Sequence, residues 1–263
     1  MENRTNLKRM IVIIVYLIIF STIALVIYLI KSPDPSCSDG KQNQAEKGID
    51  CGGPCSPCSV ISEAKDLIVQ ETVFLSEENN LHDVVAKIDN PNDVIGAEFF
   101  NYTFTLKDGN GTVIATSEGS SFILPADNKY IAKIGIKTSD GSIPASVEFS
   151  VSNVQWSLLK DTAKPQIGVY GKKFENDPAG IGSRVEGILR NESIYDLKKI
   201  EVVIVLRNEN NRVVGINTTQ RDSIRAKEQQ SFQITWPTSI LDNVQKIEVD
   251  PQINVFDSKN LFI

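Results

Sequence analysis

The sequence predicts an all-β protein: two tandem immunoglobulin-like β-sandwiches after a single N-terminal transmembrane helix and a short cysteine-rich segment. Three observations carry this. An uncharged apolar run fills residues 10–30, and all four cysteines fall between positions 37 and 58. From Val60 onward a period-two pattern is repeated about 100–101 residues later. The resulting divisions are a cytoplasmic tail (1–9), a transmembrane helix (10–30), a cysteine-rich collar (31–59), a first sandwich (60–160) and a second (161–263).

Composition narrows the function before any element is placed. The 263 residues carry a net charge of −6, with 41% hydrophobic and 7% aromatic residues. That is a globular composition, and it lacks the basic face that nucleic-acid binding requires. His82 is the only histidine, so a histidine-rich metal site is excluded, and any catalytic triad would have to be built on it. No cysteine follows Cys58, so the body holds no catalytic thiol. No G-x-S-x-G nucleophile motif is present.

The apolar run reads MIVIIVYLIIFSTIALVIYLI. A helix of that length, rising ~1.5 Å per residue, spans a ~30 Å hydrocarbon core. Ser21 and Thr22 interrupt it, with hydroxyls able to bond back to helix carbonyls, and Tyr16 and Tyr28 suit the two interfaces. A cleaved signal peptide would have a shorter apolar core and a small-x-small cleavage site, which YLIKSP does not offer. Nor is Asp34-Pro35-Ser36 before Cys37 an apolar lipobox. Arg4, Lys8 and Arg9 precede the run, whereas Lys31, Asp34 and Asp39 follow it. The positive-inside rule therefore predicts a single-pass cell-membrane protein with a cytoplasmic N-terminus and an extracytoplasmic body.

The collar, SPDPSCSDGKQNQAEKGIDCGGPCSPCS, is turn-rich and has no apolar period. Its cysteines are spaced C-x13-C-x3-C-x2-C. The stretch from Cys37 to Cys58 resembles the C-x-D-G-x-x-N-x-x-E-x-x-x-D-C-G-G-x-C-x-x-C segments of microbial cell-surface proteins, except that Ala45 stands where that pattern has glycine. The resemblance implies a small disulfide-stabilised extracellular module. Cys37, Cys51, Cys55 and Cys58 are expected to form two disulfides, in any of three connectivities. A four-thiolate zinc knuckle is the rival. Asp39, Asn43, Glu46 and Asp50 offer oxygens for a possible calcium site, against the simpler reading that they shape turns.

In EFFNYTFTL, Phe100, Tyr102, Phe104 and Leu106 fall on one face of a strand. In YIAKIGIK, Tyr130, Ala132, Ile134 and Ile136 alternate with Lys133 and Lys137. Asp108-Gly109-Asn110-Gly111 is a hairpin turn. TFTLKDGNGTVIAT at 103–116 corresponds to IVLRNENNRVVGIN at 204–217, with similar matches before and after it, and DTAKP at 161–165 is the expected junction. Each copy has the size and the roughly seven strands of an immunoglobulin-like sandwich, and each is expected to hold its own core.

The run GILRNESIYDLKKIEVVIVLRNENNRVVG, residues 187–215, resembles the FxLYD-type and LEA14-like β-sandwich domains of microbial envelope proteins. The likeness extends over most of 165–250 and more weakly over 62–155. It implies an accessory or binding role without reaction chemistry.

His82 is expected to be a partly exposed surface residue, Trp236 a core residue beside Phe232 and Ile234, and Trp156 a residue packing at the domain junction. Asn90 and Asn191 recur at equivalent strand ends and are expected to shape turns. Asn101, Asn110, Asn191 and Asn217 each begin an N-x-[ST] sequon. The functional expectation is a non-enzymatic, membrane-anchored surface or envelope protein that presents its β-domains to an unknown protein or glycan partner. A structural spacer in an envelope or pilus-type complex is the alternative, and a cryptic hydrolase the third reading.

Overall fold

The computed structural model describes residues 10, 13–23, 37, 41–43, 45–55, 58, 63–139, 142–159 and 165–262. The chain divides into two compact units, 1–58 and 59–263. In the first unit residues 13–23 are helical, and Thr22 Oγ1 donates to the carbonyls of Ile18 and Ile19 at 2.9 and 2.8 Å. Apolar side chains are exposed around this helix, from Ile13 at 59% to Phe20 at 68%. Among the described residues no helix is long and apolar enough to cross a membrane. The tail 1–9 and the remainder of the expected span, 11–12 and 24–30, lie outside the described residues.

The second unit is built of antiparallel strands. The first copy of the repeat supplies β1 (Ile68–Ser76), β2 (Leu81–Asp89), β3 (Ile95–Lys107), β4 (Val113–Ile123), β5 (Asn128–Lys137) and β6 (Ser146–Leu158). The second copy supplies β7 (Ile167–Asn176), β8 (Ser183–Asn191), β9 (Asp196–Asn208), β10 (Val213–Ile224), β11 (Gln229–Trp236), β12 (Val244–Gln252) and the short β13 (Leu261–Phe262). The sheets run β1-β2-β5 and β4-β3-β6 in the first copy, and β11-β8-β7 and β10-β9-β12 in the second, with β13 added on β9. The repeat read from the sequence thus reappears as one sheet topology used twice. Residues 161–164 of the expected junction lie outside the described residues.

Each sandwich closes on the alternating faces of its strands. In the first, Val84, Ala86 and Ile88 of β2 meet Phe100, Phe104 and Leu106 of β3. In the second, Val185 and Leu189 meet Ile200, Val202, Ile204 and Leu206, with Phe232, Ile234 and Trp236 beside them. The turns are repeated as well. Asp108 Oδ1 accepts from the backbone N–H of Asn110 and Thr112, and Asn208 Oδ1 does the same for Asn210 and Arg212. Asn90 and Asn191 are buried at 1% and 0% exposure. Asn90 Nδ2 donates to the carbonyls of Ile95 and Leu124, and Asn191 Nδ2 to those of Tyr195 and Ile224. Both therefore tie off corners whose carbonyls would otherwise be buried without a donor. Asn191 is committed to that role and is no glycan acceptor.

Two expectations need correction. First, the two copies do not merely stand in tandem, each around its own core. A third cluster joins them: Val85 and Tyr130 pack against Val203, Val205, Val213 and Ile216, flanked by Val73, Leu75 and Ala132. Residues 202–206 of β9 are an unbroken apolar run, which suits a strand buried on both faces rather than one. For the same reason Tyr130 and Ala132 turn toward the second sandwich, whereas Ile131 enters the core of the first. Second, strand register shifts the repeat by one residue here. Thr103 pairs with Glu118 as Val203 pairs with Thr218, so Thr103 corresponds to Val203 and not to Ile204. In a strand that single step exchanges the core face for the outer face.

The C-terminal return also packs on the first sandwich. A Cβ at Gly96 would stand 2.5 Å from the Phe256 ring, so that close approach requires glycine.

Candidate functional site

In the collar the cysteines pair Cys37–Cys55 and Cys51–Cys58, with Cα separations of 5.6 and 4.9 Å. All four sulfurs are in disulfides, and none is left as a thiolate to ligate zinc. The backbone shows why the resembling segments carry glycine where this chain has Ala45. That residue adopts φ 71°, a left-handed conformation that disfavours a Cβ. Gly53, at φ 60°, has no such latitude, because a Cβ there would lie 2.2 Å from the Ala45 carbonyl oxygen.

Of the four possible calcium ligands, Asp39 lies outside the described residues. Glu46 is buried, and its Oε2 accepts from the backbone N–H of Asn43 and of Asp50 at 3.1 and 3.2 Å. Its Oε1 lies 3.2 Å from Cys55 Sγ, a contact without a proton to share because that sulfur is in a disulfide. Glu46 thus stitches two arms of the turn together, and its oxygens lie among the sulfurs of Cys37 and Cys55. We expect oxidised protein to weigh four hydrogens less than reduced protein, and digestion to release Cys37 linked to Cys55 and Cys51 linked to Cys58. Any other linkage would overturn this collar.

His82 is not a surface residue. It is 4% exposed, with Nδ1 3.2 Å from Ser76 Oγ and Nε2 3.1 Å from Thr138 Oγ1. Burial lowers its pKa, partly offset by Asp83. Asp83 accepts from the Gly135 backbone N–H, and burial raises its carboxyl. Both imidazole nitrogens are occupied, so the pair is a hydrogen-bonded strand end. Trp236 is buried as expected, its indole N–H donating to the Ile216 carbonyl at 3.0 Å. Trp156 packs against the first sandwich's own core, not at the junction.

The charged feature that sequence reading missed is Arg207, 4% exposed at the junction of the sandwiches. Its NH1 and NH2 donate to the two carboxylate oxygens of Glu71, at 3.0 and 2.5 Å. Nε donates to Glu248 at 2.6 Å, NH1 to the Asn211 carbonyl, and NH2 to the Tyr130 hydroxyl. That hydroxyl in turn donates to Glu248 at 2.9 Å. The guanidinium therefore links β9 and β12 of one sandwich to β1 and β5 of the other, in the bidentate geometry that arginine permits. Nearby, Asp250 accepts from the Tyr130 backbone N–H, and Gln252 Nε2 donates to the Tyr130 carbonyl. The sequence signal was the repeat itself: Lys107–Glu148 occupies the equivalent position in the first sandwich, as an ion pair of 2.5 Å on the exposed face.

Burial pushes the Glu248 carboxyl up, but hydrogen bonds from Lys246, Arg207 and Tyr130 bring it down to about 2. The depressed value means that the unfolded chain takes up this proton first. The stability Glu248 contributes is therefore present above its ordinary value of 4.5 and lost as pH falls toward 2. The contribution is on the order of 3 kcal/mol. Asp83 and Asp250, raised by burial, act in the opposite sense. Urea midpoints at pH 7 and pH 3 isolate the effect when compared with Glu248→Gln, which should lose much less stability on acidification than the parent. Parallel losses in the two proteins would show that this carboxylate is not the acid-labile group.

Beside this network the sandwiches leave a cleft of about 570 Å³. Tyr102, Ser120 and Lys133 line it from the first sandwich, and Glu201, Thr218 and Gln220 from the second. At its edge Lys129 is 3% exposed and donates to Ser121 Oγ and the Phe122 carbonyl. Burial lowers the Lys129 pKa to about 8 against the pull of Asp250, Glu201 and Asp127.

No known protein family and no curated protein matches this sequence. Among solved structures the chain is similar to CBD12 from CALX1.2, at 10% identity over 69% of this chain and 81% of that one, with a TM-score of 0.21. The calcium binding domain CBD12 of CALX1.1 gives 11% identity over 70% and 80%, with a TM-score of 0.21. Red sea bream transglutaminase gives 10% over 72% of this chain and 30% of that one, at 0.23. At such TM-scores the likeness assigns neither ligand nor activity.

Proposed function

We propose that this chain is a single-pass membrane protein whose extracytoplasmic part is a rigid pair of β-sandwiches that binds or positions a partner. The observation that carries the reading is the fully oxidised collar directly after the apolar run 10–30, since paired cysteines persist on the exported side of a membrane. The basic residues before that run and the acidic ones after it favour the same orientation. The resemblance to FxLYD-type and LEA14-like domains supports an accessory role. Burial of both imidazole nitrogens of His82 speaks against a hydrolase built on it. The Arg207 junction favours a unit that acts as one piece, which suits either a binder with a site between sandwiches or a spacer of fixed length.

Protease added to intact cells or spheroplasts tests the topology. The sandwiches should be digested, whereas full protection of residues 60–263 in verified intact cells would reverse the orientation. Capture of a specific partner by the full chain would favour the binder over the spacer.

A further inference from the structure

The cleft between the sandwiches carries an inference beyond the general reading of a binding protein, on whose binding arm it rests. Elsewhere along the junction opposite charges meet, as Arg207 meets Glu71 and Glu248. Among the described residues lining the cleft no such ion pair forms, although Glu201 also acts on buried Lys129 at its edge. Lys133, from β5, and Glu201, from β9, line the same cavity from opposite sandwiches. Among the described residues neither is in an ion pair. Lys133 rests 5.8 Å above the Tyr102 ring. Glu201 makes its charge felt inside the cleft, where with burial it raises the Tyr102 hydroxyl.

Ser120, Thr218 and Gln220 line the same cavity, and among the described residues their side chains make no hydrogen bond to the protein. The apolar lining groups include Ala132, and Ile134 at 44% exposure. The volume lies within the ~300–1,000 Å³ typical of small-molecule sites, which favour domain interfaces.

We infer that this cleft binds a small zwitterion, a free α-amino acid or a peptide of two or three residues. Lys133 takes the ligand carboxylate, Glu201 its ammonium, and Ala132 with Ile134 an apolar side chain. A neutral sugar fits less well. The lining aromatics, Tyr102 and Tyr130, are 6% and 5% exposed and leave no ring face free for stacking. A phosphorylated ligand would meet a single cation opposed by a carboxylate.

The test is calorimetric titration of the full chain in detergent with leucylglycine. The controls are N-acetyl-leucylglycine, which lacks the ammonium, leucylglycinamide, which lacks the carboxylate, and glucose. Saturable binding of leucylglycine is expected, weakened at least about tenfold in each blocked peptide. Glu201→Gln should remove the penalty for acetylation, and Lys133→Met the penalty for amidation. That crossed pattern distinguishes lost contacts from lost folding, which would abolish all binding alike. Absence of saturable binding up to about 20 mM, binding of glucose as strong as that of the peptide, or penalties unchanged in both variants would each overturn the inference. The readout is independent of membrane orientation, so its failure and that of the topology are separable.

Discussion

Replacing Arg207 with alanine should destabilise the sandwich pair by about 3–5 kcal/mol, the range for removing one partner of a buried ion pair. The loss is large because of what remains. Glu71 loses two donors, the Glu248 side chain stays at 16% exposure without its guanidinium, and the Tyr130 hydroxyl and Asn211 carbonyl lose theirs. The effect should also have a shape. Each sandwich keeps its own core while the shared cluster is weakened, so a single thermal transition should broaden or divide into two. The combined variant Arg207→Met, Glu71→Leu, Glu248→Met tests the reasoning. It removes all three charges together, and should recover most of the stability that Arg207→Ala loses. Chemical denaturation of the three proteins decides. A loss below about 1 kcal/mol for Arg207→Ala would place the network among surface pairs of little worth.

Ile204→Asp should be more damaging still. Ile204 has no exposed surface and points into the second sandwich's core between Val202 and Leu206. The substitution removes buried aliphatic surface and inserts a carboxylate into a cluster of apolar side chains. That costs several kcal/mol, against a total stability of ~5–15 kcal/mol for a typical domain. We expect the second sandwich to be largely unfolded at 37 °C, with its β-type circular dichroism lost and its proteolysis rapid. The neighbouring comparison is Thr103→Asp. Thr103 has the place in the first sandwich that Val203 has at the junction, on the solvent side, and the change there should cost within about 0.5 kcal/mol. Equal melting of Ile204→Asp and the parent would overturn the burial of β9 on this face.

The repeat explains why one face of the second sandwich is covered and the equivalent face of the first is not. At the junction the second sandwich presents Val203, Val205 and Ile216. At the same positions the first presents Thr103, Thr105 and Thr116 on its free face. A face that met another sheet would need the apolar set, and hydroxyls there are the mark of a face in water. Both sets were in view in the sequence. Aligning the copies by similarity pairs Thr103 with Ile204 and hides the contrast. The correct pairing depends on ladder register, which one bulge or one loop residue shifts.

Several features were determined by the sequence alone. Period-two alternation marked the strands and their core faces, because a half-buried strand writes its burial into every second residue. The 100-residue offset announced one topology used twice, and the clustered cysteines announced a cross-linked turn segment. Tertiary structure decided what local patterns cannot express. A period reports that a face is covered, not what covers it, so the second apolar face of β9 did not disclose the other sandwich as its partner. His82 read as a surface residue because its hydroxyl partners Ser76 and Thr138 lie on other strands or loops. Four cysteines allow three pairings, and only the folded backbone brings Cys37 to Cys55 and Cys51 to Cys58 within bonding reach. Arg207 and Glu71 stand 136 residues apart in the chain, and they meet only where the two sandwiches are in contact. Contacts of that separation depend on the position of every intervening strand, which is why no window of sequence contains them.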